Sequence, residues 1–144
     1  MEFRLAQHLY AIPLLKVKEV IPKPEITLIP NMPPFFEGMI NLRGQILGVF
    51  NVRKKLSAKA EAIKGSEVVI VIEDDGISVG MIVDEVTRVL HADPKMIGPA
   101  PLKEGDPAGQ FVSAVIQSDK ELVMVLQASE LLELEKYKKL TKAA

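Results

Sequence analysis

The chain has 144 residues, 48% of them apolar, and its 18 basic and 19 acidic side chains leave a net charge of −1. That length fits one domain able to bury about two-thirds of its unfolded surface, and the near-neutral balance lacks the electrostatic footprint of a nucleic-acid or anionic-membrane binder. Cysteine is absent, which excludes disulfides, thiolate metal sites and cysteine nucleophiles.

The N-terminus, Met1-Glu2-Phe3-Arg4-Leu5, has neither a basic leader nor a long apolar stretch, so no secretory signal is read there. From that point short runs rich in valine, isoleucine and leucine alternate with turns containing proline, glycine, asparagine or aspartate, which is a β pattern. It predicts strands at 3–5, 9–13, 39–42, 46–51, 67–73, 77–83, 86–91, 111–117 and 121–126. Between two of these, Glu73-Asp74-Asp75-Gly76 supplies a hairpin turn in which Gly76 takes a positive φ.

Helical pattern is confined to 52–64, a turn at 14–20, and a tail from 129 to about 140. In the tail Ser129 is the expected N-cap, and Leu131, Leu132, Leu134, Tyr137 and Leu140 form an apolar face, opposite lysines, that docks on the body. Ten prolines concentrate in the connections and break helical continuation there. Apolar runs such as 68–72 fall far short of the roughly 20 residues a membrane-spanning helix needs, so a water-soluble intracellular chain is expected. Nine or so short strands suit a closed or nearly closed β architecture that protects its sheet edges.

The most informative segment is Glu37-Gly38-Met39-Ile40-Asn41-Leu42-Arg43-Gly44-Gln45-Ile46-Leu47-Gly48-Val49, which sets one asparagine and one arginine among apolar residues. Glycines at 38, 44 and 48 permit bends or positive φ, so a kinked or bulged strand is expected where Arg43 emerges. The structural role for Arg43 is a barrel-corner ion pair with a nearby acid such as Glu37 or Glu19. The functional role is a charge presented to a partner.

Gly38 to Gly44 resembles the G-x-x-N-L-R-G signature of the CheW family of chemotaxis coupling proteins. Upstream, Tyr10-Ala11-Ile12-Pro13-Leu14, Val17-Lys18-Glu19-Val20 and Ile26-Thr27-Leu28-Ile29-Pro30 are similar to the opening of that domain in the same order. Downstream, Val79-Gly80-Met81-Ile82-Val83-Asp84-Glu85-Val86 resembles the family's second signature, V-G-x-x-V-D-x-V, and the likeness runs from about Phe3 to Leu132. Two departures stand out: Asn51 and Gln127 occupy strand-to-helix junctions where the family commonly has aspartate. Asn51 keeps the ability to cap a helix.

The resemblance implies a mainly β fold of two SH3-like five-stranded barrels packed around a shared apolar core, with short helices including a C-terminal one, all within a single CheW-like domain over 1–144. It implies a non-enzymatic adaptor, without cofactor or metal, that couples chemoreceptors to the histidine kinase CheA. The implied partners are the helical hairpin tip of a receptor's cytoplasmic domain and the regulatory domain of CheA, with self-association in rings and recruitment to membrane-associated arrays. The matched residues for receptor engagement are Val17, Glu19, Gly38, Asn41, Arg43, Val83 and Val86, with Gly38 shaping backbone. They suggest a groove between barrels lined by Val17, Val20, Val83 or Val86, with Glu19 and Arg43 at its rim, although each valine has core packing as its simpler explanation. No motif isolates a kinase-facing surface. A CheV-type adaptor, which adds a receiver domain, is the alternative within the family; the initial Met1 and the lysine-rich tail favour an independent protein.

Other function classes find little support. His8 and His91 lack metal-ligand companions, and serines 57, 66, 78, 113, 118 and 129 sit in no nucleophile elbow. Asp74-Asp75-Gly76 reads as a solvated turn, and no phosphate-cradling glycine loop is present. A small-barrel nucleic-acid binder is the remaining alternative, but aromatic residues make up only 5% and tryptophan is absent. Lysines 54, 55, 59 and 64, interrupted by Glu61, read as a solvated helix face.

Overall fold

A computed structural model describes residues 1–5, 8–56, 67–99, 111–118 and 121–134. Its strands are β1 (Glu2–Leu5), β2 (His8–Ala11), β3 (Val17–Pro22), β4 (Phe36–Leu42), β5 (Gln45–Asn51), β6 (Val68–Asp74), β7 (Ile77–Val83), β8 (Glu85–Arg88), β9 (Ile97–Pro99), β10 (Val112–Ser118) and β11 (Glu121–Leu126). Two short helices, α1 (Val52–Lys55) and α2 (Ala128–Leu131), follow β5 and β11. The strands form two sheets in the orders β8-β1-β2-β11-β10-β9 and β3-β6-β7-β5-β4. The second is a contiguous stretch of chain inserted between β2 and β8, so the first is split in sequence.

The inserted sheet closes on itself. Just beyond β3, Thr27 pairs with Met39 of β4: its N–H donates to the Met39 carbonyl at 2.9 Å and its carbonyl accepts from the Met39 N–H at 2.8 Å. Gly38 makes that approach possible. A β-carbon there would lie 2.2 Å from the Thr27 carbonyl oxygen, and φ is +147°. In the split sheet the edge strands β8 and β9 are joined by a three-residue 3-10 turn (Pro94–Met96) and its flanks, with the Asp93 side chain accepting from the Lys95 N–H. Arg88 of β8 donates to the nearly buried Glu2 of β1 and to Ser118 of β10, both at 3.2 Å, tying the sheet round by side chains.

Alternation along each strand sorts the apolar side chains into three layers. Ile40, Leu47, Val49, Val69, Val71 and Ile82 fill the inserted barrel. Leu9, Ala11, Ile116 and Val123 fill the split one, with Leu90, Ala92 and Met96 packed on them. The intervening residues, including Phe3, Tyr10, Ile12, Phe50, Ile70, Ile72, Met81 and Val83, meet in a third cluster with Val52 of α1 and Leu131 of α2. Burial on both faces explains why Val68 to Ile72 reads as an unbroken apolar run.

Several expectations need correction. Residues 17–22 form a strand, not part of a helical turn; only Leu14–Lys16 turns, as a 3-10 helix. Val17, Val20 and Ile21 have helical spacing, but pairing with β6 overrides it. Beyond Arg88 the chain leaves the ladder, and the three-residue β9, which holds Gly98 and Pro99, lies outside the expected strands. The split sheet has six strands instead of five. The tail helix begins two residues early, with Gln127 at the N-cap instead of Ser129, and α2 spans only Ala128–Leu131. Residues 57–64 of the helix expected over 52–64, with Lys59, Glu61 and Lys64, and Tyr137 and Leu140 of the tail lie outside the described residues.

Candidate protein-docking surface

Arg43 does not emerge from a kink within a strand. It occupies the first central position of the two-residue β4–β5 hairpin, with φ 52° there and φ 85° at Gly44. Both positive angles match the twist of the flanking strands, which is why two-residue hairpins favour them. Asn41 stabilises the turn, its side-chain carbonyl accepting the Gly44 N–H at 2.9 Å. The bulge lies instead at the other end of the hairpin, between Phe36 and Gly38.

Arg43 donates to Glu19 of β3 at 2.5 Å, with 73% of the arginine side chain and 27% of the glutamate side chain exposed. Of the two acids considered for it, Glu19 is the partner. Glu37 instead accepts from Asn51 at 3.0 Å and pairs with Lys54 at 2.7 Å. Burial is the largest influence on the Glu37 carboxyl and pushes its pKa up. The hydrogen bonds from Lys54 and Asn51 and the charges of Lys54 and Lys23 together outweigh it and hold the carboxyl below the usual range. Asn51 also caps α1, accepting the Lys54 N–H at 3.2 Å, whereas the Gln127 side chain makes no such bond at the start of α2.

The valines divide by depth. A register shift in β3 between Val17 and Glu19 places Val17 opposite Ile72 and Val20 opposite Ile70, so both face the layer between the barrels. Val17 is half-buried against that layer, while Val20 is 37% exposed. Val86 is half-buried beside Phe3. Val83 is fully buried. The space between the barrels is therefore filled by the chain's own side chains, and Val83 lines no open groove. Gly38 is buried beneath Thr27. A recess of about 310 Å³ does remain between the barrels where the chain first crosses, bounded by Pro13, Lys16, Ile72, Asp74 and Gln127; Val17, next to Lys16 and paired with Ile72, adjoins it.

Two connections were not visible in the sequence. Arg53 of α1 pairs with Asp84, at the crossing from β7 to β8, and Lys55 pairs with Glu133 at 2.9 Å. The first joins residues 31 apart and the second residues 78 apart, so no local spacing announces either. His8 and His91 are exposed, and no group of three metal-ligating side chains occurs among the described residues. No helix of the described residues is long and apolar enough to cross a membrane.

Two interlocked barrels presenting charged hairpin tips on rigid strand ends define a small double-barrel module of the kind that holds other proteins. The CheW-like domain model matches residues 1–136, and the chain belongs to that family. It is 30% identical to the chemotaxis protein CheW of Klebsiella aerogenes over 90% of this chain and 78% of the relative. With CheW of Treponema pallidum it shares 24% identity over 96% of this chain and 84% of that one. The crystal structure of the scaffolding protein TtCheW from Thermoanaerobacter tengcongensis superposes with a TM-score of 0.82 at 32% identity, over 90% of this chain and 84% of that one. Membership of this family makes the chain an adaptor of chemotaxis signalling.

Proposed function

We propose that the chain acts as one domain over residues 1–144, in the cytoplasm, joining the helical hairpin tip of a chemoreceptor to the regulatory domain of the kinase CheA. It does so without performing chemistry of its own. The receptor-facing surface is the exposed corner of the inserted barrel: Glu19, Asn41 and Arg43 with Val20 beside them. Val17 and Val86 contribute from half-buried positions, while the buried Val83 and Gly38 act only through the fold.

The carrying observation is the state of Arg43. A non-glycine residue at φ 52° gives up about 1 kcal/mol or more relative to glycine, and its largely exposed ion pair recovers little of that. A strained position holding an exposed guanidinium is explained by a partner that uses the charge. Apolar contact from Val20 and Val17 and register set by charge are the requirements for seating an amphipathic helix. Transmission to the kinase then appears as a differential affinity between kinase states, commonly about 1 to 3 kcal/mol, and many weak contacts in an array raise occupancy.

Arg43→Gly tests this directly. It relieves the backbone strain, so the melting temperature stays equal or rises, while binding of a receptor cytoplasmic fragment in a pull-down weakens about tenfold. Arg43→Glu, which repels Glu19, weakens it further. Parent-like binding by folded Arg43→Gly protein would return Arg43 to a structural role.

A further inference from the structure

Helix α1 has only four residues, yet its side chains reach both barrels. Val52 enters the layer between the sheets. Arg53 pairs with Asp84, where the chain passes from the inserted to the split barrel, and the Asp84 N–H donates to the Arg4 carbonyl of β1 at 3.2 Å. Lys55 reaches the far end of the split barrel, pairing with Glu133 at 2.9 Å. Its ammonium also lies 4.3 Å from the centre of the Phe35 ring and 5.3 Å from that of Phe111, one aromatic preceding β4 and the other preceding β10.

These contacts differ from the other described ion pairs. Arg43–Glu19, Lys18–Glu73, Lys23–Glu67 and Lys54–Glu37 lie within the inserted barrel, Arg88–Glu2 and Arg4–Glu85 lie on the split barrel, and Lys16–Asp74 ties the crossing from β2 to β3 to the inserted barrel alone. The Arg53–Asp84 pair is also well enclosed, its side chains 13% and 14% exposed, and the Lys55–Glu133 pair is partly so, at 17% and 31%. Glu133 adds an independent sign. It is held at φ 50°, a left-handed angle that glycine would adopt without strain.

We propose that α1 is an electrostatic clasp that fixes the orientation of one barrel on the other, with Lys55, Glu133 and the two phenylalanines as its closing element. This rests on the adaptor reading, since a module that transmits between two partners needs its halves held as a rigid pair. Its test does not depend on either partner. The chain has no cysteine, so Leu28→Cys on the inserted barrel and Leu122→Cys on the split one, both well exposed, take spin labels cleanly. Dipolar spectroscopy of the free protein then reads the distance distribution between barrels.

Glu133→Gly removes the carboxylate and relieves the backbone. Lys55→Met keeps an apolar stem between the rings without the charge. Both are expected to broaden the distribution about twofold or more, with Glu133→Gly melting no lower than the parent. Lys54→Met, whose pair stays within the inserted barrel, leaves it unchanged. Parent-like distributions in both folded clasp variants, or equal broadening in Lys54→Met, would overturn the clasp. Loss of receptor binding in Arg43→Gly bears on the adaptor reading alone.

Discussion

The two barrels are built from the same kind of strand but are assembled differently. The inserted barrel is one continuous stretch whose hairpins β4–β5 and β6–β7 close through two-residue turns, and its ladder is completed by the backbone pair Thr27–Met39. The split barrel gathers β1 and β2 with β8 to β11, so its parallel β2–β11 pair joins opposite ends of the described chain. Its closure relies on the Glu2–Arg88–Ser118 side-chain bridge. Leu47 in the inserted interior is 1% exposed, whereas Leu9 in the split interior is 7% exposed. Locally encoded closure thus goes with the tighter interior, and the strained Arg43 hairpin sits on the barrel best able to hold it.

The largest effect expected from breaking this contrast is at Gly38. Gly38→Ala sets a methyl 2.2 Å from the Thr27 carbonyl and 2.8 Å from Ile26, opening the inserted barrel at a cost of about 3 kcal/mol, read as a lowered urea midpoint. Next come the two interiors. Leu47→Ala is expected to lose about 4 kcal/mol and Leu9→Ala about 2 kcal/mol, because the less enclosed site collapses more readily around the deletion; equal losses in chemical denaturation would remove the difference between the barrels.

The two helix starts extend the comparison at lower energy. Asn51→Ala removes a cap from the inserted barrel and costs about 1 kcal/mol, while Gln127→Ala, which loses no bond to a backbone N–H and only the bonds its amide donates to the Glu130 carboxylate, lowers the melting temperature less. The smallest effect is on pH dependence. The Glu37 carboxyl is held below its ordinary pKa by Lys54 and Asn51, against burial. Its stabilisation is therefore present above the ordinary glutamate pKa of about 4.3 and is lost as the pH falls through the lower folded value. Glu37→Gln should flatten that acid limb; an unchanged limb would assign it to other carboxylates.

The same division governs what could be read from the sequence. Expected strands at 46–51, 67–73 and 77–83 match Gln45–Asn51, Val68–Asp74 and Ile77–Val83 to within a residue, and the turn at Asp75 and Gly76 has its positive φ values of 52° and 77°. Those features are local. β9 and the end of β8 depend on partners far along the chain, and β3 becomes a strand only because β6 is there to pair with it. At the Arg43 corner Glu19 was identifiable as one of two acids that could meet the guanidinium. The depth of Val83 was not legible, since an apolar run buried on both faces does not show which side lies deeper. The pairs made by Arg53 and Lys55 carry no local pattern, so only the folded chain reveals them.

The most direct measurement of the central claim is CheA autophosphorylation, with and without receptor, as this protein is titrated in. Stimulation or inhibition is expected only when receptor, kinase and this chain are all present, with a higher concentration of Arg43→Gly needed to reach the same level. A kinase rate indifferent to the chain in the presence of receptor, or one that Arg43→Gly shifts as readily as the parent, would contradict it.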